Sequence, residues 1–195
     1  AICRLLISSP RLLLLDEPYA HLDMDHKNAL KTLIHDIGKK LKITCMIVSH
    51  DPMDTLSWAD EMLVMKDGQL VQKGKPEVIY REPVDGYTGG LFGKYNLIRP
   101  AMFRKFSAIP AFRRVIARAG KKNIFVRPEQ LKLTRENPRS IKGKIVQISF
   151  FGGYRELKVS ISANDSLIVK SDATGVDIGD TVFLTSRSGS PPWLV

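Results

Sequence analysis

Two adjacent carboxylates, Asp16 and Glu17, are the residues of this 195-residue chain best suited to catalysis. They directly follow the apolar run Leu12–Leu15, which predicts a strand buried on both faces of a parallel sheet. Burying charge is costly, so two adjacent acids at a strand end need a compensating partner. A divalent cation with a polarised water is such a partner, and ligands of open parallel sheets lie at the carboxyl ends of strands. The sequence therefore predicts a nucleotide–Mg²⁺ site, with a plain acidic turn as the alternative.

A second polar cluster follows another apolar run further along the chain. Ser49, His50 and Asp51 come directly after the β-branched run Ile43–Val48. Between the two runs, apolar residues recur at the spacing of a helix with one buried face, namely Leu30, Leu33, Ile34, Ile37 and Leu41. A strand, a helix and a strand form a βαβ unit, whose right-handed crossover makes the two strands parallel. His50 is therefore predicted at the same sheet edge as the two acids, although a lone histidine is more often structural.

Four stretches in this part of the chain resemble ATP-binding-cassette (ABC) ATPases. LLLLDEP, residues Leu12–Pro18, resembles the Walker B motif, and Ala20–Asp23 resembles the D-loop. VSHDP, residues Val48–Pro52, resembles the H-loop, and Ala59–Gly74 resembles the hairpin that follows it. The motifs occur in the order that the family has, which is more specific than any one of them. The resemblance covers residues 1–98.

The remainder of the chain resembles a TOBE domain, the small β-barrel appended to many importer ATPases. Phe125–Glu129, with the sequence FVRPE, resembles the entry to that domain. The strand-and-turn plan of the domain is matched by Gly143–Val146, Phe151–Gly153 and Gly179–Val182. ATPases similar to polyamine and ferric-ion importers carry this arrangement.

The resemblance implies an α/β fold class with an appended β-domain. We expect the C-terminal part of a P-loop NTPase (ABC) parallel-sheet domain at residues 1–98 and a basic linker at 99–127. A small all-β, OB-like (TOBE) barrel is expected at 128–195. Short β-rich runs at 141–150 and 154–161 fit this barrel, and 193–195 would supply a late strand.

Two motifs of the ABC family have no counterpart in this sequence. Neither a GxxxxGK[ST] phosphate loop nor an LSGGQ-like motif occurs, and Ala1–Leu6 resembles the helix that follows LSGGQ in the family. We therefore expect the chain to be the C-terminal part of a longer ATPase and to be inactive alone. The alternative is a degenerate protein without the other half, against which the presence of Asp16, Glu17 and His50 argues.

The net charge of +10 is unevenly distributed along the chain. Residues 99–127 carry nine basic residues and no acidic one, whereas 1–98 carry 12 basic and 13 acidic residues. Within the basic segment, Phe112, Val115, Ile116 and Ala119 form a helical apolar stripe. The segment is interpreted as a solvated linker, with attachment to an anionic leaflet as the alternative and nucleic acid not expected.

The two cysteines do not indicate a metal site or a disulfide framework. Cys3 and Cys45 lie in a predicted helix and a predicted strand, where a small buried thiol is the default. His21 and His26 are five residues apart, which is poor spacing for a shared helical face, and we interpret them as surface residues. No apolar run reaches the ~20 residues that a membrane helix needs.

The resemblance implies a role for each polar residue at the sheet edge. Asp16 would hold Mg²⁺ through water, and Glu17 would orient and polarise the attacking water as general base. His50 would contact the γ-phosphate of ATP. Asp23 would act across a dimer interface and, with Ser49, would belong to the nucleotide-binding set.

The family also implies partners and a location. Two ATPase subunits close on two ATP molecules as a homodimer and drive transmembrane permease subunits, to which a solute-binding protein delivers the solute. The chain would then serve uptake of a small solute such as a polyamine or ferric ion, at the cytoplasmic face of the bacterial inner membrane. The alternatives are an ABC-type ATPase without a transport role, or a TOBE-like region that binds a regulatory ligand.

Overall fold

The structure, a computed structural model, describes residues 6, 9–54, 56–187 and 191–195. The chain divides into two units, Ala1–Trp58 and Ala59–Val195, each with its own packed interior. Within the described residues, no helix has both the length and the apolar character needed to cross a bilayer.

The first unit contains the predicted βαβ arrangement. Strands β1 (Leu12–Asp16) and β2 (Thr44–Val48) pair in parallel, with Leu12 opposite Thr44 and Asp16 opposite Val48. Helix α1 (Met24–Leu41) connects them and ends at Lys42, which adopts a left-handed conformation. The buried residues of α1 are Ile34 and Ile37, both members of the predicted stripe. The helical periodicity and the parallel pairing are therefore confirmed.

The burial of β1 differs from the prediction of a strand covered on both faces. Leu13 and Leu15 are buried, but Leu12 and Leu14 are 48% and 62% exposed. Side chains alternate between the faces of a strand, and α1 covers only the face that carries Leu13 and Leu15. The prediction of a strand buried on both faces is therefore wrong for the residues that the structure describes.

The second unit begins with a hairpin and two short helices. Strands β3 (Met62–Lys66) and β4 (Gln69–Gly74) are antiparallel, and helices α2 (Pro76–Arg81) and α3 (Gly86–Leu91) follow. The turn residues Asp67 and Gly68 have φ of +49° and +75°, as a tight hairpin turn requires. This hairpin matches the one expected from the resemblance.

The rest of the second unit is mainly β-structure. A three-stranded sheet contains β5 (Asn96–Ile98), β6 (Ile124–Val126) and β12 (Trp193–Leu194), so the late strand joins β6. A five-stranded antiparallel sheet has the order β10-β9-β8-β11-β7, and its end strands β10 and β7 also lie close to each other. Its strands are β7 (Leu131–Thr134), β8 (Ile141–Phe150), β9 (Arg155–Ser160), β10 (Ser166–Ser171) and β11 (Thr181–Ser186). The described part also contains short 3₁₀ turns at Pro52–Asp54, Pro100–Met102 and Pro128–Gln130.

The basic segment 99–127 is folded rather than extended. It contains helices α4 (Phe103–Phe106) and α5 (Pro110–Ala119) as well as β6. Phe106, Ile109 and Phe112 are at most 1% exposed and belong to the same apolar cluster as the five-stranded sheet. The expected solvated linker is thus a packed layer, because its apolar residues fall on one side and its charges on the other. The domain limits themselves stay a prediction.

A buried arginine lies at the junction between α2 and the β-structure of the second unit. Arg127, in the FVRPE sequence, is 2% exposed and donates hydrogen bonds to the carbonyls of Tyr80 (3.2 Å from Nη2) and Gly93 (3.4 Å from Nη1). Its guanidinium lies 4.3 Å from the ring centroid of Tyr80 and 4.7 Å from that of Phe125. The Tyr80 hydroxyl in turn donates to Glu129, and burial raises the pKa of Tyr80 to about 12.

Candidate functional site

The ends of the two parallel strands bring the acidic and the histidine-containing segments together. Asp16 is the last residue of β1, and the amide of Glu17 still donates to the carbonyl of Val48 at 2.9 Å. Glu17 itself has a φ of +44°, in the left-handed region that non-glycine residues rarely occupy. The chain therefore turns sharply at Glu17, directly beside the end of β2.

Glu17 and His50 form a two-point contact at this edge. The Glu17 carboxylate accepts from the backbone amide of His50 at 2.9 Å and lies 2.8 Å from its ring Nδ1. The His50 side chain is 81% exposed, whereas that of Glu17 is 36% exposed. The hydrogen bond to Glu17 and its negative charge raise the pKa of His50 above its ordinary value. The two residues predicted as catalytic are thus in direct contact, 33 positions apart in sequence.

A cavity of about 290 Å³ opens in front of this pair. The pair itself and the loop after β1, residues 19–22, form part of its lining. Two further charged side chains, Lys27 and Asp54, complete it. Carboxylate, imidazole and ammonium groups therefore line one space. Such a space can accept a charged group and offers it both a proton acceptor and cations.

An ion-paired aspartate supports the loop that carries His50. Asp54 is 5% exposed, and its carboxylate lies 3.3 Å from Lys31 Nζ and 3.6 Å from Lys27 Nζ. The Ser49 hydroxyl donates to the other oxygen of Asp54 at 3.4 Å and accepts from the amide of Asp51 at 3.1 Å. Ser49 therefore shapes the loop around His50. The role of Asp54 was not predicted from the sequence. The only signal for it was that an acidic residue follows His50 by four positions.

Tyr19 was also missed by the sequence analysis. It is 1% exposed, and among the described residues its hydroxyl has no hydrogen-bond partner. Burial first, and then the charge of Asp54, raise the pKa of Tyr19 to about 12. Tyr19 is also one of the residues that line the cavity of Glu17 and His50.

Asp16 has an exposed side chain at the strand end. Among the described residues, its carboxylate makes no hydrogen bond or ion pair, and it does not line the cavity. The described part of the chain also contains no group of three or more His, Cys, Asp or Glu side chains arranged to hold a metal ion. A single free carboxylate of this kind suits Mg²⁺, which keeps several waters and takes its other ligands from substrate phosphates.

Asp23 begins helix α1. It accepts from the amide of His26 at 2.9 Å, as an N-cap does, and its carboxylate lies 2.8 Å from His26 Nδ1. The amide hydrogen bond, followed by the ring hydrogen bond, lowers the pKa of Asp23 below its usual value. Asp23 and His26 are both exposed, so the surface position predicted for His26 is correct, and the pair also has a capping role.

Of the two cysteines, Cys3 lies outside the described residues. Cys45 is half-buried in β2, and desolvation raises the pKa of its thiol. Cys45 also packs against the apolar cluster of the first unit. Cys45 is thus a structural residue, as predicted, but it is only partly buried.

A parallel βαβ unit with an acid and a histidine at its strand ends, followed by a β-rich unit, is the arrangement expected of an ABC-type ATPase segment with an appended β-domain. The TOBE domain family matches residues 124–190. This match covers the strands β6 to β11 and identifies the β-structure of the second unit.

The relatives of the chain are import ATP-binding proteins. The glucose import ATP-binding protein of Saccharolobus solfataricus is 31% identical over 180 residues, which are 88% of this chain and 51% of that protein. The spermidine/putrescine import ATP-binding protein of Acetivibrio thermocellus is 32% identical over 163 residues, 80% of this chain and 46% of that protein. A ferric-ion import ATP-binding protein of Pseudomonas fluorescens is 35% identical over 182 residues, 88% of this chain and 51% of that protein.

These matches make the chain a homologue of the ATP-binding subunits of ABC importers that carry a TOBE domain. The family resemblance drawn from the motifs is confirmed, as is the predicted fold class. The chain spans about half the length of the curated relatives that it matches.

Proposed function

We propose that this chain is part of the ATP-binding subunit of an ABC importer and contributes the hydrolytic half of its nucleotide site. The ATP hydrolysed there would energise uptake of a small solute. The three relatives act on glucose, spermidine or putrescine, and ferric ions. The proposal therefore covers small solutes as a class, of which a polyamine or ferric ion is the expectation from the resemblance.

The observation that carries the proposal is the contact between Glu17 and His50. An acceptor carboxylate held 2.8 Å from an exposed imidazole, at the carboxyl ends of parallel strands, is suited to orienting a water beside a phosphoryl group. Glu17 would act as the general base, and His50 would bind the γ-phosphate. Because phosphoryl transfer depends mainly on positioning and charge neutralisation, a fixed pair of this kind meets its main requirement.

The donor set also fits the expected metal. Asp16 offers a free, exposed carboxylate next to Glu17, and such an oxygen ligand, directly or through water, is what Mg²⁺ takes in nucleotide sites. Bound there with ATP, Mg²⁺ would neutralise charge on the phosphates. Ser49 would keep the His50 loop in place, and Asp23, beside the cavity loop, would contact the second subunit.

The proposal includes the assembly that the family implies. Two ATPase subunits would form a homodimer on transmembrane permease subunits, at the cytoplasmic face of the inner membrane. A solute-binding protein would act on the other side, without contact to this chain. The solute itself would be selected by the permease and the binding protein.

The test is a comparison of Glu17→Gln and Asp16→Asn in the full-length protein. Glu17→Gln keeps the shape of the side chain and removes its basicity, so turnover should fall ~10²–10⁴-fold while MgATP binding survives. Asp16→Asn should weaken Mg²⁺ affinity as well as turnover. Steady-state ATPase assays beside MgATP titrations measure both.

The two mutants separate the roles of the two carboxylates. Near-parental turnover in Glu17→Gln would remove this residue from the base role. Identical binding defects in both mutants would mean that the acids act as one electrostatic unit. A full-length parent that hydrolyses no ATP at all would refute the proposed function itself.

A further inference from the structure

The loop that carries His50 contains a buried carboxylate to which the proposed function gives no role. Asp54 is 5% exposed and ends the 3₁₀ turn Pro52–Asp54, which directly follows the residues around His50. Burying a carboxylate is costly unless its charge is compensated and its oxygens are hydrogen-bonded. The partners of Asp54 therefore show what the fold gains from an acid at this position.

Two lysines of α1 compensate the charge of Asp54. Lys31 Nζ lies 3.3 Å and Lys27 Nζ lies 3.6 Å from the same carboxylate oxygen, Oδ1. The lysines are four positions apart, so they are neighbours on one side of the helix. Their side chains are only 20% and 24% exposed, respectively, so solvent screens these pairs less than it screens ion pairs on the surface. The ion pairs thus attach the His50 loop, residues 49–54, to α1.

Asp54 is also hydrogen-bonded to residues on both sides of it in the sequence. Its other carboxylate oxygen, Oδ2, accepts from the Ser49 hydroxyl at 3.4 Å, and its backbone carbonyl accepts from the indole of Trp58 at 2.8 Å. The Trp58 ring in turn contacts His35 of α1 edge to face, with ring centroids 6.5 Å apart. The residue directly before His50 and the chain after the loop are therefore both connected to Asp54.

The ring of His50 needs such an anchor because packing around the ring holds it little. Its side chain is 81% exposed, and its Nδ1 lies 2.8 Å from the Glu17 carboxylate. Hydrogen bonds inside the loop, such as that from the Asp54 amide to the Asp51 carbonyl at 3.0 Å, fix the shape of the loop but not its place. The place of the imidazole is set by the loop backbone, which Asp54 connects to α1.

We propose that Asp54 is a positioning residue that holds His50 in place for ATP hydrolysis. It acts through its ion pairs with Lys27 and Lys31, which keep the His50 loop on α1. This inference rests on the proposed function of the Glu17–His50 pair. Displacing a group that contacts the reacting phosphate slows the chemical step more than it weakens substrate binding, so loss of Asp54 should act on kcat.

The experiment measures steady-state ATP hydrolysis by the full-length protein with Asp54→Asn, which removes the charge and keeps the shape. We expect kcat to fall ~10–100-fold and KM for MgATP to change less than about twofold. Asp54→Glu should retain most of the parental rate, because the flexible lysine side chains can adjust to one more methylene. Lys31→Gln should also lower kcat and provides a second test if Asp54→Asn folds poorly. Parental kcat in Asp54→Asn, or in Lys31→Gln where the former does not fold, would overturn the proposal.

The matched control is another ion pair of α1. Asp36 and Lys40 pair at 3.2 Å on the same helix, with side chains 47% and 76% exposed. Asp36→Asn removes the same charge and should leave kcat unchanged, because a pair of this exposure contributes little. An equal loss in Asp36→Asn would show that the rate responds to the charge of the helix in general, which would refute a specific role for Asp54.

A double-mutant cycle separates positioning of His50 from general support of the fold. If Asp54 acts through His50, Asp54→Asn should cost less than about twofold in single-turnover hydrolysis when His50→Ala is already present. A loss by the same factor in both backgrounds would mean that Asp54 acts independently of His50, as a purely structural residue would. That result would overturn the proposal.

A measurement without nucleotide distinguishes failure of this inference from failure of the proposed function. Hydrogen exchange of residues 49–54, followed by mass spectrometry of the full-length protein, should be about tenfold faster in Asp54→Asn than in the parent and unchanged in Asp36→Asn. Parental exchange in Asp54→Asn would refute the anchor whether or not the protein hydrolyses ATP. A parent without ATPase activity would refute the proposed function, and with it the catalytic role of Asp54, even where the exchange data support the anchor.

Discussion

The two units bury their apolar surface to different extents. In the first unit, α1 covers one face of the β1–β2 sheet, and the other face leaves Leu12, Leu14, Met46 and Val48 between 47% and 62% exposed. In the second unit, the inward side chains of the five-stranded sheet are closed off, and Ile145, Leu157, Val159 and Leu184 are fully buried. The candidate catalytic pair lies in the unit with the open face.

Strands of both units alternate between buried and exposed side chains, but the exposed residues differ in type. In β8 and β9, side chains alternate between a buried face and a solvent-exposed face, and the exposed positions are mostly polar, such as Lys142, Lys144 and Lys158. In β1, the exposed positions carry leucine, a residue that gains ~1.5–3 kcal/mol from burial. The inward face of the five-stranded sheet is thus covered by residues of its own unit, whereas the outer face of the β1–β2 sheet presents leucines suited to a further layer.

The largest expected effect concerns the buried arginine of the second unit. Arg127→Ala should lower the free energy of unfolding by about 3–5 kcal/mol, because it removes a packed, buried side chain and leaves the buried carbonyls of Tyr80 and Gly93 without its hydrogen bonds. Urea unfolding of a Trp58→Phe background, where Trp193 is the only tryptophan, measures this in the second unit alone. Arg118→Ala, at an exposed arginine, is the control and should change little.

The second prediction tests the one-sided burial of β1. Leu13→Ala should cost about 2–3 kcal/mol, since Leu13 is 3% exposed in the cluster under α1, whereas Leu14→Ala should cost less than about 0.5 kcal/mol. Trp58 fluorescence in a Trp193→Phe background reports on the first unit. Equal losses at both positions would mean that the outer face of the sheet is covered in solution.

The third prediction compares two neighbouring glycines of α3. A Cβ at Gly89 would lie 2.4 Å from a ring carbon of Phe125, whereas at Gly90 its nearest contact would be an ordinary 3.6 Å from Tyr95. Gly89→Ala should therefore destabilise the second unit by about 1–2 kcal/mol through overpacking. Gly90→Ala should be neutral or stabilising, because alanine favours the helix. Trp193 lies opposite Phe125 in the pairing of β12 with β6, so its fluorescence reports on unfolding of this region.

The smallest expected effect is a shift in the pKa of the His50 imidazole. Glu17 raises the pKa of His50, so the folded imidazole should titrate above 6.5, and Glu17→Gln should bring it back towards that value. A raised pKa means that the contact stabilises the chain at low pH and that this contribution is lost as the pH rises through the folded pKa. Histidine ring signals in NMR spectra measure both variants. An unchanged titration in Glu17→Gln would show that the contact does not persist in solution.

The sequence predicted secondary-structure elements with strong hydrophobic periodicity better than it predicted the side-chain contacts around them. The α1 stripe and the two parallel strands rest on local patterns, and the structure contains all of them. The contact between Glu17 and His50 followed from the topology, since parallel strands bring their ends to one edge. The surroundings of the Tyr19 hydroxyl and the ion pairs of Asp54 with Lys27 and Lys31 could not be predicted, because both depend on how side chains distant in sequence pack together. The solvated linker was wrongly inferred from charge, since net charge says nothing about which side of a helix is packed.

The left-handed backbone of Glu17 has an evolutionary consequence. A glutamate at a φ of +44° holds a conformation that costs of order 1 kcal/mol and that glycine or asparagine adopts more easily. A library selected only for heat resistance should therefore drift at this codon towards glycine or asparagine. If Glu17 has the proposed role as general base, a screen for ATP hydrolysis by the full-length protein should instead retain glutamate and accumulate stabilising changes elsewhere.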